Sequence, residues 1–149
     1  MTIIQTATTQ FKVQLMQGVH NFGPTAPNTF KIALYTEAAN IGPTTAAYTA
    51  SGEISGTGYT AGGIVLTVSV TPTSGNNSSS VPTAFVSFSN ATWINATFTC
   101  RGALIYNDTA AGKPSVAILN FGSDKIVSND TFQVVFPTPD ANNAIVRIS

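Results

Sequence analysis

The chain has 149 residues, of which 8% are charged, and its six acidic residues balance six basic ones. This is about a third of the charge of a typical soluble domain, so the chain offers few groups for proton transfer and no basic surface for nucleic acid. The length suits one domain with its own core, and no apolar run approaches the ~18 residues that a membrane span requires.

Residues 1–10 are polar and rich in threonine, and they are predicted to form an N-terminal arm. Ile3 and Ile4 are the only apolar anchors of this segment. A chain terminus of this kind is ordered only where something holds it. The segment also lacks the basic stretch and the long apolar run of a secretory signal. We therefore assign residues 11–149 to a single folded domain and expect no export.

A short helix is predicted directly after the arm. Thr8 or Thr9 supplies an N-cap hydroxyl, and Phe11 and Leu15 are i,i+4 neighbours on one helix face. Gly18 is suited to end the helix. Because a helix of about two or three turns is unstable alone, we expect it to pack on the rest of the chain.

The remainder of the chain reads as strands separated by turns. Alternating apolar residues place Ile94 and Cys100 on one strand face and Trp93 on the other. Glycine and proline pairs punctuate the pattern, and residues 38–61 and 71–80 are predicted to be long loops. The fold class expected is all-β, an antiparallel, jelly-roll-like β-sandwich with one short N-terminal helix. Strands are predicted over 29–35, 64–70, 84–88, 94–100, 116–121, 132–136 and 144–148.

Two patterns resemble catalytic or cofactor motifs. Residues 56–61, Gly-Thr-Gly-Tyr-Thr-Ala, fit a dinucleotide-binding pattern, but a strand follows where that chemistry requires a helix N-terminus. A structural turn is the better interpretation. His20 and Cys100 are the only residues of their kinds and could form a nucleophile pair, although a buried thiol on an apolar strand face is ordinary.

The aspartates fall in turns, where their side chains cap backbone amides. Paired carboxylates for glycoside cleavage would need a short distance between two of them, which the sequence does not give. No spacing fits a calcium loop or a zinc site. We predict that the protein is not an enzyme and needs no cofactor or metal. The aspartates in question are Asp108, Asp124, Asp130 and Asp140.

Trp93 and the tyrosines have two interpretations. Amphipathic aromatic residues are enriched at protein interfaces, but they also suit a second core face of a sandwich. On the first interpretation, the candidate interface residues are Ile3, Ile4, Tyr35, Tyr59, Trp93 and Tyr106.

Several segments between Phe11 and Ile148 together resemble a family of small virion structural proteins of tailed bacteriophages. The most specific are RGALIYN, at 101–107, and FGSDK, at 121–125. The resemblance implies a virion component, and less directly a capsid decoration (cement) protein, and it carries no catalytic residue to transfer. Our leading hypothesis is a decoration protein that binds the major capsid protein or other virion proteins, self-associates, and is made in the cytoplasm of the bacterial host. The composition predicts no nucleic-acid or membrane partner. The polar tract Ser74–Ser80 is not explained by the family.

Three alternatives accompany this hypothesis. The first is a tail tube, adaptor or head–tail joining subunit, which would need exposed strand edges. The second is a carbohydrate-binding module for host attachment, supported only by Trp93 and the tyrosines. The third is a hydrolase that uses the aspartates. For a decoration protein, we expect deletion of residues 1–9 to weaken particle binding and to leave the fold intact.

Overall fold

The computed structural model describes residues 2–149 and contains eight strands and one short helix. The strands form two antiparallel sheets, which confirms the predicted all-β, sandwich-like class. In chain order the elements are β1 (Thr6–Ala7), α1 (Thr9–Met16), β2 (Phe30–Tyr35), β3 (Ile64–Leu66), β4 (Val68–Asn76), β5 (Pro82–Phe88), β6 (Ala91–Asn107), β7 (Ser115–Val134) and β8 (Val146–Ile148).

The two sheets differ in size. The larger has the order β1-β7-β6-β2-β3 and the smaller has the order β4-β5-β8. Three pairs of sequential strands, β2–β3, β4–β5 and β6–β7, are also neighbours in a sheet, so the order is more local than that of a jelly roll. The main core lies between the sheets, with Phe30 and Ile32 of β2 on one side and Val86 and Phe88 of β5 on the other.

The helix forms where the sequence predicts it. The Thr8 hydroxyl accepts a hydrogen bond from the Phe11 amide, as an N-cap does, and Gly18 follows the last turn with φ +70°. Phe11 is buried in the main core, which provides the packing that so short a helix needs. No helix within residues 2–149 is long and apolar enough to cross a membrane.

The N-terminal segment is held by its own domain. Its Ile4 amide bonds to the Ile41 carbonyl at 3.0 Å, and β1 pairs with β7 at Ile118 and Ala117. Ile3 is only 7% exposed and belongs to a second core cluster on the other face of the larger sheet. These residues supply core contacts and the helix cap, so the structure leads us to expect that deletion of residues 1–9 destabilises the fold rather than leaves it intact.

Strands β6 and β7 form a hairpin that extends beyond the rest of the larger sheet. β2 pairs only with residues 102–107 of β6, and β1 pairs only with residues 117–118 of β7. Residues 91–101 and 125–134 therefore continue as a two-stranded extension, here called the ribbon. The predicted strands 116–121 and 132–136 are parts of the single strand β7, and Gly122 lies inside it in a four-residue bulge between Asn120 and Lys125.

A second bulge changes which side of β6 faces the core. The pairing register shifts between Trp93 and Ala96, and Asn95 has φ +49°. This inserted residue brings Trp93 onto the same inward face as Ala96, while Ile94 is 66% exposed. The prediction that Ile94 shares the core face of Cys100 is therefore wrong.

The predicted strand 64–70 is divided between the two sheets. Ile64–Leu66 forms β3 of the larger sheet, and Val68 begins β4 of the smaller one. β4 continues through Pro72 to Asn76, so most of the predicted loop 71–80 is a strand. The polar tract ends in a turn closed by the Asn77 side chain, which accepts hydrogen bonds from the Ser79 and Val81 amides.

Candidate functional site

His20 is a core residue held in its neutral form. Its Nδ1 lies 3.1 Å from the side-chain nitrogen Nδ2 of Asn107, which can only donate, so Nδ1 is the acceptor. The ring proton is therefore on Nε2, which donates to Gln14 Oε1 at 2.9 Å. The ring contacts Phe11, Phe22 and Phe30. Burial lowers the pKa of His20 to about 4, so the ring is uncharged at neutral pH.

Cys100 is also a core residue. It is fully buried on the inner face of β6, and burial, with a smaller effect of the nearby Asp124 charge, raises its pKa to about 12. A thiol in that state has almost no nucleophilic thiolate at neutral pH. Both ring nitrogens of His20 are bonded to amide side chains rather than to this sulfur.

The four tyrosines surround Glu53 and the loop that carries it. Tyr48 donates to Glu53 Oε2 and Tyr59 donates to Glu53 Oε1, each at 2.6 Å. Tyr35 donates to the Thr49 carbonyl, while the Tyr106 phenol bonds to the Gly62 carbonyl. Burial raises the pKa of all four phenols, and that of Tyr48 to about 12. The network fastens the long 38–61 loop to the larger sheet.

The aspartates lie apart from one another, with Asp108 and Asp140 in turns as predicted, whereas Asp124 and Asp130 lie within β7 and the prediction that they fall in turns is wrong. Asp108 forms ion pairs with Lys31 and Lys113 at 3.3 and 3.1 Å; burial opposes ionisation, but the hydrogen bonds from the two lysines prevail and lower its pKa. Asp140 accepts hydrogen bonds from the Asn143 side chain and the Asn142 and Asn143 amides, which lower its pKa. No group of three His, Cys, Asp or Glu side chains suited to a metal occurs in residues 2–149.

The glycine-rich segment 56–61 is part of a loop beside β6. The Thr97 amide of β6 donates to the Thr57 carbonyl at 3.0 Å, and strand β3 begins a few residues later at Ile64. There is no helix N-terminus at this place to receive a phosphate. The segment therefore acts as a turn against the edge of β6.

The structure places five of the six candidate interface residues in the interior. Trp93 is 2% exposed and packs between Tyr59 and Phe132. Tyr35 and Tyr106 are fully buried in the second core cluster together with Ile3, and Tyr59 is partly buried against the main core. Ile4 alone, 48% exposed, remains open to a partner. The aromatic residues therefore take their core interpretation rather than the interface one.

The surface that sequence reasoning missed is the outer face of the ribbon. Its two apolar members, Ile94 and Ile126, are 66% and 78% exposed. The Gln133 side chain donates to the Thr92 hydroxyl across the two strands, and Thr99 lies directly opposite Ile126. The six residues that form this surface, here called the ribbon face, are uncharged, while Arg101, the last ribbon residue on β6, forms an ion pair with Asp124. The members of the ribbon face are Thr92, Ile94, Thr97, Thr99, Ile126 and Gln133.

The signal for the ribbon face is weak in the sequence. Ile126 stands in a polar stretch, and Ile94 has the spacing of a core residue until the bulge at Asn95 is known. The alternation of threonines at 97 and 99 with buried Phe98 and Cys100 is the one readable sign of an outward hydroxyl row.

A second open surface is an apolar groove between α1 and β8. Leu15 and Met16 line one wall, and Val146 and Ile148 line the other. Its volume is about 670 Å³.

Comparison of the chain with protein-family models, curated proteins and solved structures finds no match.

Proposed function

We propose that the protein is a structural component of a tailed-bacteriophage particle, and specifically a capsid decoration protein that binds the major capsid protein. The segments that resemble virion proteins support this proposal, and so does the low charge of the chain. The observation that carries it is the ribbon face, which combines threonine hydroxyls with two exposed isoleucines on the outer side of β6 and β7. In this role the protein self-associates around a local symmetry axis of the shell.

The composition of the ribbon face suits protein contact. The centres of protein interfaces are depleted of charge, and covering Ile94 and Ile126 contributes on the order of 1 to 2 kcal/mol for each. Such a contact is weak alone. On a shell that repeats the site many times, linked copies gain occupancy without new contacts, because the second binding event is intramolecular.

The interior position of the aromatic residues bears on the carbohydrate-binding alternative. That function requires an aromatic face open to a sugar ring, whereas Trp93 is 2% exposed and the Tyr35 and Tyr106 side chains are buried. No described observation favours it over a protein-binding role.

The first experiment is the copy number in purified virions, measured by quantitative mass spectrometry against the major capsid protein. Decoration requires copies on the order of hundreds, in a simple ratio to the capsid protein. A count of tens or fewer would assign the protein to the tail or to the head–tail joint. Absence from the particle would overturn the proposal.

The second experiment tests the ribbon face. Particles that lack the protein are incubated with purified variants, and the bound fraction is measured. Ile94→Asp and Ile126→Asp place a charge in the expected contact and should lower occupancy severalfold. Val65→Asp is the matched control, because Val65 is a 58% exposed aliphatic residue on β3, an edge strand of the larger sheet that is not part of the ribbon. Equal occupancy for all three variants would exclude the ribbon face as the contact.

A further inference from the structure

The groove between α1 and β8 lies at an open side of the sandwich. β8 is an edge strand of the smaller sheet, and α1 follows β1, which is an edge strand of the larger one. Among its lining residues, Phe11 and Val146 are buried, whereas Met16 and Ile148 are 83% and 57% exposed. Large apolar side chains are therefore exposed beside a ready-made depression.

The outer edge of β8 is available for hydrogen bonding by another strand. β8 pairs with β5 alone, through Val86↔Val146, Phe85↔Arg147 and Ala84↔Ile148. Within residues 2–149 no strand pairs with its other side. An edge of this kind beside an apolar groove is the arrangement used in strand addition, in which main-chain bonds give affinity and alternate side chains fill pockets.

The charged side chains that line the groove have one sign. Three of the six cationic side chains, Lys31, Arg101 and Lys113, form ion pairs with aspartates. Of the three outside those pairs, Lys12 and Arg147 both line the groove, and no Asp or Glu side chain lines it. Arg147 bonds to the Asn142 carbonyl and lies near Asp140, whose carboxylate is held by Asn142 and Asn143.

We infer that this groove receives an extended segment of another protein, which adds as a strand to β8. Its inward side chains are apolar, and a carboxylate side chain faces Lys12 and Arg147. A second copy of this chain fits less well, because symmetric pairing of two β8 strands about Arg147 would oppose two like charges. The inference rests on the proposed function only in identifying the partner as a protein of the particle.

The binding test uses the full chain and a hexapeptide probe, acetyl-Asp-Val-Thr-Val-Thr-Val-amide. Titration into ¹⁵N-labelled protein should shift the amide resonances of β8 and α1. The double variant Lys12→Gln with Arg147→Gln should lower the affinity for the probe by roughly three- to tenfold, because two exposed charge contacts are lost. Lys125→Gln is the matched control, since Lys125 also lacks an ion pair with an aspartate but lies on the ribbon, and it should leave the affinity unchanged.

Three altered probes separate the terms of the inference. A peptide with lysine in place of aspartate should bind more weakly than the original to the native protein. Two further peptides are N-methylated at the odd-numbered or at the even-numbered amides. The one whose methyl groups fall on the amides that face β8 cannot complete the main-chain hydrogen bonds and should lose most of its affinity, whereas the other should not. Equal binding by all probes, or no shift in β8 and α1, would overturn the inference. Tighter binding of decanoate than of any peptide would assign the groove to a small amphiphile instead.

The same variants distinguish this inference from the proposed function. Lys12→Gln with Arg147→Gln is applied to particles in the occupancy assay beside Lys125→Gln. Selective loss of occupancy by the double variant supports the groove as a contact with the shell. Normal occupancy by the double variant would overturn a groove contact in the particle and leave the virion role standing. Absence of the native protein from virions would overturn the virion role, while peptide binding would still test the groove.

Discussion

Ile3 and Ile4 form a matched pair for testing whether the N-terminal segment belongs to the fold. They are adjacent and identical in type, yet Ile3 is 7% exposed and Ile4 is 48% exposed. The Ile3 side chain lies over Gly102, where a Cβ would come within 3.0 Å of two of its carbons. The missing side chain at Gly102 therefore makes the socket that Ile3 fills.

The cost of emptying that socket follows from the atoms removed. Ile3→Ala deletes three buried carbons, each of which contributes about 0.8 kcal/mol on transfer from water. The expected loss is thus about 2.4 kcal/mol of unfolding free energy, and an unrelaxed cavity adds to it. Ile4→Ala removes the same atoms from a half-exposed position, and we expect a loss of less than about 1 kcal/mol.

Equilibrium urea unfolding measures both values, with an unchanged slope required for the comparison. If Ile3→Ala and Ile4→Ala destabilise equally, or if neither has an effect, the segment is not held by its own domain. In that case its side chains would be free for a partner, and the arm predicted from sequence would stand. With the packing described, weak particle binding after deletion of residues 1–9 would report unfolding as well as any lost contact.

Three further predictions concern the interior. Burial lowers the pKa of His20 from 6.5 to about 4 in the folded protein, so the unfolded state binds more protons between these two values. The free energy of unfolding should therefore fall by up to about 3 kcal/mol as the pH drops through that window. Urea midpoints at several pH values should show this dependence, and an equal dependence in His20→Gln would refute the attribution to His20. Gly63→Ala, at φ +73°, places a Cβ 1.8 Å from the Ile32 carbonyl oxygen and should prevent normal folding. Gly112→Ala, at φ +78° with nothing within 4 Å, should cost only about 1 kcal/mol of backbone strain. Similar thermal midpoints for the two variants would contradict the close approach of Gly63 to β2. Tyr59→Phe removes the phenol partner of the Glu53 carboxylate and of the Leu34 amide. It should lower the free energy of unfolding by about 1 to 3 kcal/mol. A urea midpoint equal to that of the native protein would show that these hydrogen bonds do not hold the 38–61 loop.

Local patterns made much of the fold predictable. The helix was readable because one segment combines a capping threonine, an i,i+4 apolar pair and a terminal glycine, and all three are used. Strand β2 was readable because its alternation is regular, although both of its faces are buried by two different core clusters. Such elements depend on neighbours within a few residues, and periodicity reports those directly.

Elements that depend on distant partners were not readable. The bulge at Asn95 reverses the inward face of β6 and with it the roles of Ile94 and Trp93. At Thr67 the chain passes from β3 of the larger sheet to β4 of the smaller one, although the alternating pattern of residues 64–70 is unbroken there. In both cases the local pattern is satisfied by either outcome, and the choice is made by packing against strands far away in sequence. The aromatic candidates for an interface could not be placed from sequence for the same reason, since amphipathic aromatic residues suit cores and surfaces equally.

The distribution of the few charges gives the strongest link between the fold and its proposed contacts. The long outer edge of β7 beyond Ile118 pairs with no other strand in residues 2–149, and an exposed edge of that length invites uncontrolled pairing. Asp124, Lys125 and Asp130 lie along it, together with the bulge at 121–124 and the positive φ of Asn129. These features obstruct the addition of a strand there. β8 is a short edge with one cation and no register shift, so it obstructs a partner strand less than the outer edge of β7 does, and the cations beside it favour an acidic strand.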